Sequence, residues 1–184
     1  MRTLSNNGRC DLAYALATQT TYPSWGYMVE KGATTIWELW NGDTAGPSMN
    51  SGNHIMLTGD LLTWLYEYLA GIAPDPAEPG FKHIIMRPEA VAGLSFVRAS
   101  HRSPYGVIKS AWSKQPEFFR WAITVPANTT ATVYVPASSL SKIKESGHAV
   151  FQAPDLEYLR AENGRLIFRI GSGDYNFEVE RLRD

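Results

Sequence analysis

Glu38 lies between two tryptophans at the end of the run Tyr22–Trp40, YPSWGYMVEKGATTIWELW, and a short polar loop later the segment SMNSGNH ends on His54. A carboxylate can take a proton from water as the water attacks. Trp and Tyr faces stack on the C–H-rich faces of sugar rings. Together these residue types have the chemistry for hydrolysing a glycosidic bond. A lone Glu in an apolar segment is ordinarily a solvated or capping carboxylate, so the aromatic frame carries the signal. Trp25, Trp37 and Trp40 each have two uses, as sugar platforms or as core residues. Asn50 and Asn53 fit a role in orienting the loop through side-chain to backbone bonds.

The elements that must position these residues change character once, near residue 73. Before it, helical spacing dominates. Asp11–Thr20 places Leu12, Ala13, Leu16 and Ala17 on one face, and Pro23 closes that stretch because the residue before a proline is pushed out of the α region. Leu61–Ile72 predicts the strongest helix, with Leu61, Trp64, Leu65, Tyr68, Leu69 and Ile72 in register and Gly71 as its cap. The proline-rich APDPAEPG (Ala73–Gly80) reads as a junction. Beyond it the period falls to two. Phe119, Trp121, Ile123 and Val125 alternate with Arg120, Ala122 and Thr124; Val133 and Val135 flank Tyr134; Leu166, Phe168 and Ile170 form another row, and so do Tyr175, Phe177 and Val179 against Asn176, Glu178 and Glu180. With Phe81–Arg87, Leu94–Ser100 and Val107–Lys114 this makes about seven or eight short strands, a β-sandwich in outline.

Composition narrows the function classes. The chain has 184 residues, 44% hydrophobic and 19% charged, with net charge −1, so no overall field favours a nucleic acid or an acidic membrane. One cysteine, Cys10, excludes an internal disulfide. No stretch reaches the roughly 18 apolar residues of a membrane span, and the first ten residues lack the apolar core of a secretory signal. His83, His101 and His148 are scattered without metal-ligand spacing, and no phosphate loop or nucleophile elbow occurs. No cofactor and no metal are expected. Two predicted helices with wide apolar faces cannot bury both against each other. They require the sandwich, a second copy or further chain, and the Leu61 helix predicts self-association when its face is left open.

Five segments, YPSWGYMVEKGATTIWELW, MNSGNH, WLYEYLAGI, PGFKHIIMRP and VPANTTATVYVPA, taken in this order, resemble the C-terminal part of bacterial α-L-rhamnosidases of glycoside hydrolase family 78. The likeness runs on to the final GSGDYNFEVE. The resemblance implies a mixed α plus β chain. Residues 1–73 would be the terminal helices of an (α/α)6-barrel catalytic domain, incomplete here, and 74–184 an antiparallel β-sandwich. It further implies an inverting hydrolase releasing terminal α-L-rhamnose, in which one carboxylic acid protonates the leaving oxygen and one carboxylate activates water.

By the same resemblance, Glu38 in TTIWE takes the general-base position and His54 in NSGNH binds rhamnose hydroxyls, with Trp37, Trp40, Trp25 and Asn53 on the substrate side. The implied partners are a rhamnose-containing carbohydrate and the N-terminal part of the barrel. The general acid has no counterpart here; Asp11, Glu30, Asp43, Asp60 and Glu67 lack its motif, which predicts that the chain alone is inactive. Gly52 and Leu39 depart from the family's usual bulky and charged residues. Localisation rests on an N-terminus the resemblance places upstream. The competing reading is a non-catalytic carbohydrate-binding or structural β-sandwich with a helical appendage. That reading predicts sugar affinity on the sandwich, indifferent to Glu38→Gln.

Overall fold

The computed structural model describes residues 1–48 and 51–180, so Met49 and Asn50 of the SMNSGNH loop lie outside the described residues. The chain divides into two compact units, Met1–Leu65 and Tyr66–Asp184.

The first unit holds four helices, α1 (Arg2–Asn6), α2 (Cys10–Thr18), α3 (Trp25–Glu30) and α4 (Ile55–Trp64). Helix α2 stops at Thr18, ahead of Pro23, with Gln19 already extended. Helix α3 lies inside the aromatic run and starts on a local signal. The Ser24 hydroxyl accepts from the Tyr27 N–H at 2.9 Å, which satisfies one of the orphan donors of a helix start. Gly26 makes its approach to the chain after α2 feasible, since a Cβ there would stand 2.2 Å from the Gln19 carbonyl oxygen. Helix α4 begins six residues earlier than the Leu61 stripe predicts. Its indole Trp64, fully buried, donates to Ser5 Oγ at 2.8 Å and so ties α4 to α1. From Leu65 to Ala70 the chain continues as a π-helical segment.

The second unit is two packed sheets. Its strands are β1 (Ile72–Pro74), β2 (His83–Met86), β3 (Phe96–Ser103), β4 (Gly106–Lys114), β5 (Phe118–Val125), β6 (Thr130–Val135), β7 (Ile143–Glu145), β8 (His148–Ala149), β9 (Leu156–Glu162), β10 (Arg165–Ile170) and β11 (Gly173–Glu180). One sheet runs β1-β2-β6-β10-β9 and the other β3-β4-β5-β11-β7-β8. All pairings are antiparallel except β2 with β6, which is parallel. The inward rows Ile84, Met86, Val133 and Phe168 of one sheet share a core with Ile108, Trp112, Trp121 and Phe177 of the other. This is the sandwich that the two-residue period predicts. The segment read as a junction contributes β1, an edge strand, where its Pro74 breaks no central ladder.

The core also holds polar groups, all paired. Ser110, with no exposed surface, donates to the Ala70 carbonyl at 2.6 Å and accepts from Trp121 Nε1 at 2.9 Å, while Trp112 Nε1 donates to the Leu69 carbonyl at 2.7 Å. Two carbonyls at the end of the π segment are thereby satisfied by the sheet. Ser110→Ala strands both an acceptor and an indole donor away from water. We expect it to cost about 2–4 kcal/mol, read as a lowered urea midpoint at unchanged slope.

Candidate active site

Residues 35–38 and 51–54 have no regular secondary structure, yet they are laced together. The His54 N–H donates to the Ile36 carbonyl at 2.7 Å, and the Glu38 N–H donates to the Ser51 carbonyl at 3.0 Å. Thr35 Oγ1 donates to Asn53 Oδ1 at 2.7 Å, and the Asn53 N–H reaches Ser51 Oγ at 3.4 Å. The TTIWE and SGNH motifs therefore lie side by side although twelve residues separate them. His54 also forms the N-terminal boundary of α4, where its carbonyl accepts from the Leu57 N–H at 3.1 Å. The helix start thus fixes the backbone from which the imidazole projects.

This lacing sets the carboxylate. Glu38 Oε2 accepts from the Ser51 N–H at 3.1 Å and stands 3.8 Å from His54 Nδ1. At 3.8 Å the two side chains are neighbours without a direct hydrogen bond. The Glu38 side chain is 45% exposed and that of His54 24%. One carboxylate oxygen is thus steadied by a backbone donor while the group stays accessible to solvent.

The tryptophans divide. Trp25 and Trp40 form an edge-to-face pair with ring centroids 5.5 Å apart. Trp37 lies flat on Gly42, where a Cβ would come within 2.5 Å of its indole. Trp25 also lines an open groove of about 360 Å³ with Met28, Val29, Thr35, Ile36 and Leu61. Among the residues considered as a second acid, Asp43 accepts from the Tyr27 hydroxyl at 3.3 Å, and burial together with Asp43 raises the Tyr27 pKa. Asp11 is held by Arg9, whose hydrogen bond keeps its carboxyl below the usual range, opposite to what a general acid needs. Sequence reasoning missed Ser51 and Thr35, which hold the site through one backbone N–H and one hydroxyl. A backbone contact leaves no mark on residue type.

A carboxylate steadied on laced loops between helices, followed by a two-sheet domain, invites comparison with known glycosidases. Residues 1–69 match the bacterial α-L-rhamnosidase 6 hairpin glycosidase domain, and residues 71–149 match the bacterial α-L-rhamnosidase C-terminal domain. An α-L-rhamnosidase of Streptomyces avermitilis is 36% identical over 181 residues, covering 96% of this chain and 16% of that protein. One of Formosa agariphila is 33% identical over 182 residues, covering 96% of this chain and 19% of its own length. The crystal structure of the S. avermitilis α-L-rhamnosidase complexed with L-rhamnose superposes with a TM-score of 0.84 at 35% identity, over 96% of this chain and 16% of that one. The structure of the α-L-rhamnosidase from Dictyoglumus thermophilum does so at 0.82 and 38%, over 97% and 20%.

A helical-hairpin glycosidase domain running into a β domain is the class this architecture defines. Within that class, the chain belongs to the bacterial α-L-rhamnosidase family. It spans between 16% and 20% of the length of these relatives.

Proposed function

We propose that this chain is the C-terminal part of an inverting α-L-rhamnosidase, with the sequence to about residue 73 closing the hairpin domain and 74–184 forming the sandwich. The observation that carries the reading is the clasp of Glu38 by Ser51 beside His54. In the intact protein Glu38 acts as general base. It takes a proton from a water that attacks the anomeric carbon, while a carboxylic acid outside this chain gives its proton to the departing glycosidic oxygen. His54 hydrogen-bonds the sugar hydroxyls, with its orientation supported by the helix boundary on which it sits. Asn53 holds the loop through Thr35, and Trp25, Trp37 and Trp40 form the apolar wall. The substrate is a rhamnose-containing glycan or glycoside. The test is a chromogenic α-L-rhamnoside offered to this chain and to a protein extended upstream through the hairpin domain. Turnover only in the extended protein supports the reading; turnover by the short chain places an acid inside it and overturns the division of labour.

The exposed apolar residues of the helical unit support an incomplete domain. Ile55 and Met56 are 70% and 71% exposed, and Leu57, Leu62, Val29 and Leu16 are exposed as well. A folded surface seldom leaves so many large apolar side chains open on one set of helices. In the intact protein the preceding hairpins cover them. The chain alone is expected to self-associate, seen as a mass above 20.5 kDa in light scattering that falls when Ile55 and Met56 are replaced by Glu.

A further inference from the structure

The outward face of the six-stranded sheet separates charge in a way that net charge hides. On β3, β4 and β5 the outward positions carry Arg98, Arg102, Lys109 and Arg120 and no carboxylate. The register sets these cations on four successive cross-strand rows, in the order Arg120, Arg98, Lys109, Arg102. Two residues of strand separate one row from the next, so the charges step along the sheet about 6.8 Å at a time. The carboxylates of this face sit on β11: Glu178 accepts from Arg120 at 2.8 Å, Asp174 accepts from the Thr124 hydroxyl, and Glu180 stands exposed at the strand's end. Arg98, Arg102 and Lys109 have no carboxylate partner among the described residues. Beside them a concavity of about 470 Å³ crosses the sheet, with Ala111 and Ala122 on its floor and Ser113, Arg120 and Asn176 around it.

Edge protection accounts for part of this. Charged side chains on an edge strand block sheet-to-sheet pairing, and β3 is an edge. It does not account for Lys109 and Arg120, which stand on interior strands, nor for the lack of interspersed negative charge usual on a soluble surface. The row therefore fits an extended anion. The carboxylates of Glu178, Asp174 and Glu180 on the neighbouring β11 would repel a continuous phosphate backbone. A chain of acidic sugar rings fits better, because each ring carries neutral hydroxyls beside its carboxylate. Its charges meet the cations, and its hydroxyls meet Asn176, Ser113 and the Glu178 carboxylate.

We propose that this face is an accessory binding site for an acidic polysaccharide, held by Arg98, Lys109 and Arg102 and bedded on the alanine floor. The choice of a glycan rests on the glycosidase reading above; the charge row does not. The test is isothermal titration of the full chain with polygalacturonate and with its fully methyl-esterified form, beside double-stranded DNA and phosphatidylserine vesicles. The three exposed cations are replaced together (Arg98→Gln, Arg102→Gln, Lys109→Gln), and Arg160→Gln on the other sheet serves as control.

Polygalacturonate should bind and weaken with added salt, and the ester should not bind. The triple variant should raise Kd roughly tenfold or more while the control leaves it unchanged. No binding, equal binding of the ester, an unaffected triple variant with native circular dichroism, or tighter binding of DNA or vesicles would each overturn the proposal. The measurement involves no turnover, so its failure leaves the Glu38 assignment standing, and an inactive extended enzyme leaves this site standing.

Discussion

In a protein carrying this chain together with the upstream part of its hairpin domain, Glu38→Gln should lower kcat on an aryl α-L-rhamnoside by about 10²–10⁴-fold, the worth of a positioned base, and leave KM little changed. The physical reason is isosteric. Glutamine keeps the volume of Glu38 and an oxygen for the Ser51 N–H, so the loop lacing survives. What disappears is the ability to accept a proton from the attacking water. His54→Ala should behave differently and raise KM, because an imidazole that grips hydroxyls acts in the ground state as well as the transition state. Steady-state kinetics of the two variants separates the roles, and the anomer first released, followed by NMR, reports inversion. A Glu38→Gln enzyme with near-normal turnover would remove Glu38 from the mechanism.

The second large effect is structural. Gly71→Ala should destabilise the sandwich unit by about 3 kcal/mol or more, enough to prevent folding of a marginal domain. Gly71 has φ +71°, where a Cβ costs energy by itself, and a Cβ there would lie 2.2 Å from the Pro88 nitrogen and 2.4 Å from the Arg87 carbonyl carbon. Those are backbone atoms, held in turn by the Arg87 N–H donating to the Gly71 carbonyl at 3.0 Å. No side chain can swing aside to make room. Urea unfolding followed by the buried Trp112 and Trp121 should show the loss. A variant within about 1 kcal/mol of the parent would mean that the Gly71–Pro88 approach is not as tight as described.

Much of the fold was legible because its signals are local. Strands β5, β6, β10 and β11 each repeat apolar residues at every second position, and each buries the predicted row. The strands that escaped prediction lack that alternation. In β9, Leu156–Glu162, nearly every residue is exposed, since it is an edge with little to bury, and β7 and β8 are too short to show a period. Helix α3 was hidden in a run read for its aromatics, and its only marker was one capping serine. Helix α4 starts ahead of the predicted Leu61 stripe because Ile55, Met56 and Leu57 are exposed apolar residues that form no amphipathic pattern within this chain.

The residue types in TTIWE and NSGNH, read in order with the other motifs, were enough to indicate the family and to single out Glu38 and His54. They could not say what holds that carboxylate. The clasp depends on residues 35–38 meeting 51–54, and its closest contact is a backbone N–H that any residue but proline would supply. The same holds on the sandwich. Alternation along a strand is a property of neighbours two apart and is written in the chain. Which cations share a face and a spacing depends on the register of β3, β4 and β5, and on the placing of β11 from the far end of the chain beside β5. A chain of net charge −1 can therefore carry a cationic row that composition conceals, because summed charge has no position and tertiary pairing assigns one.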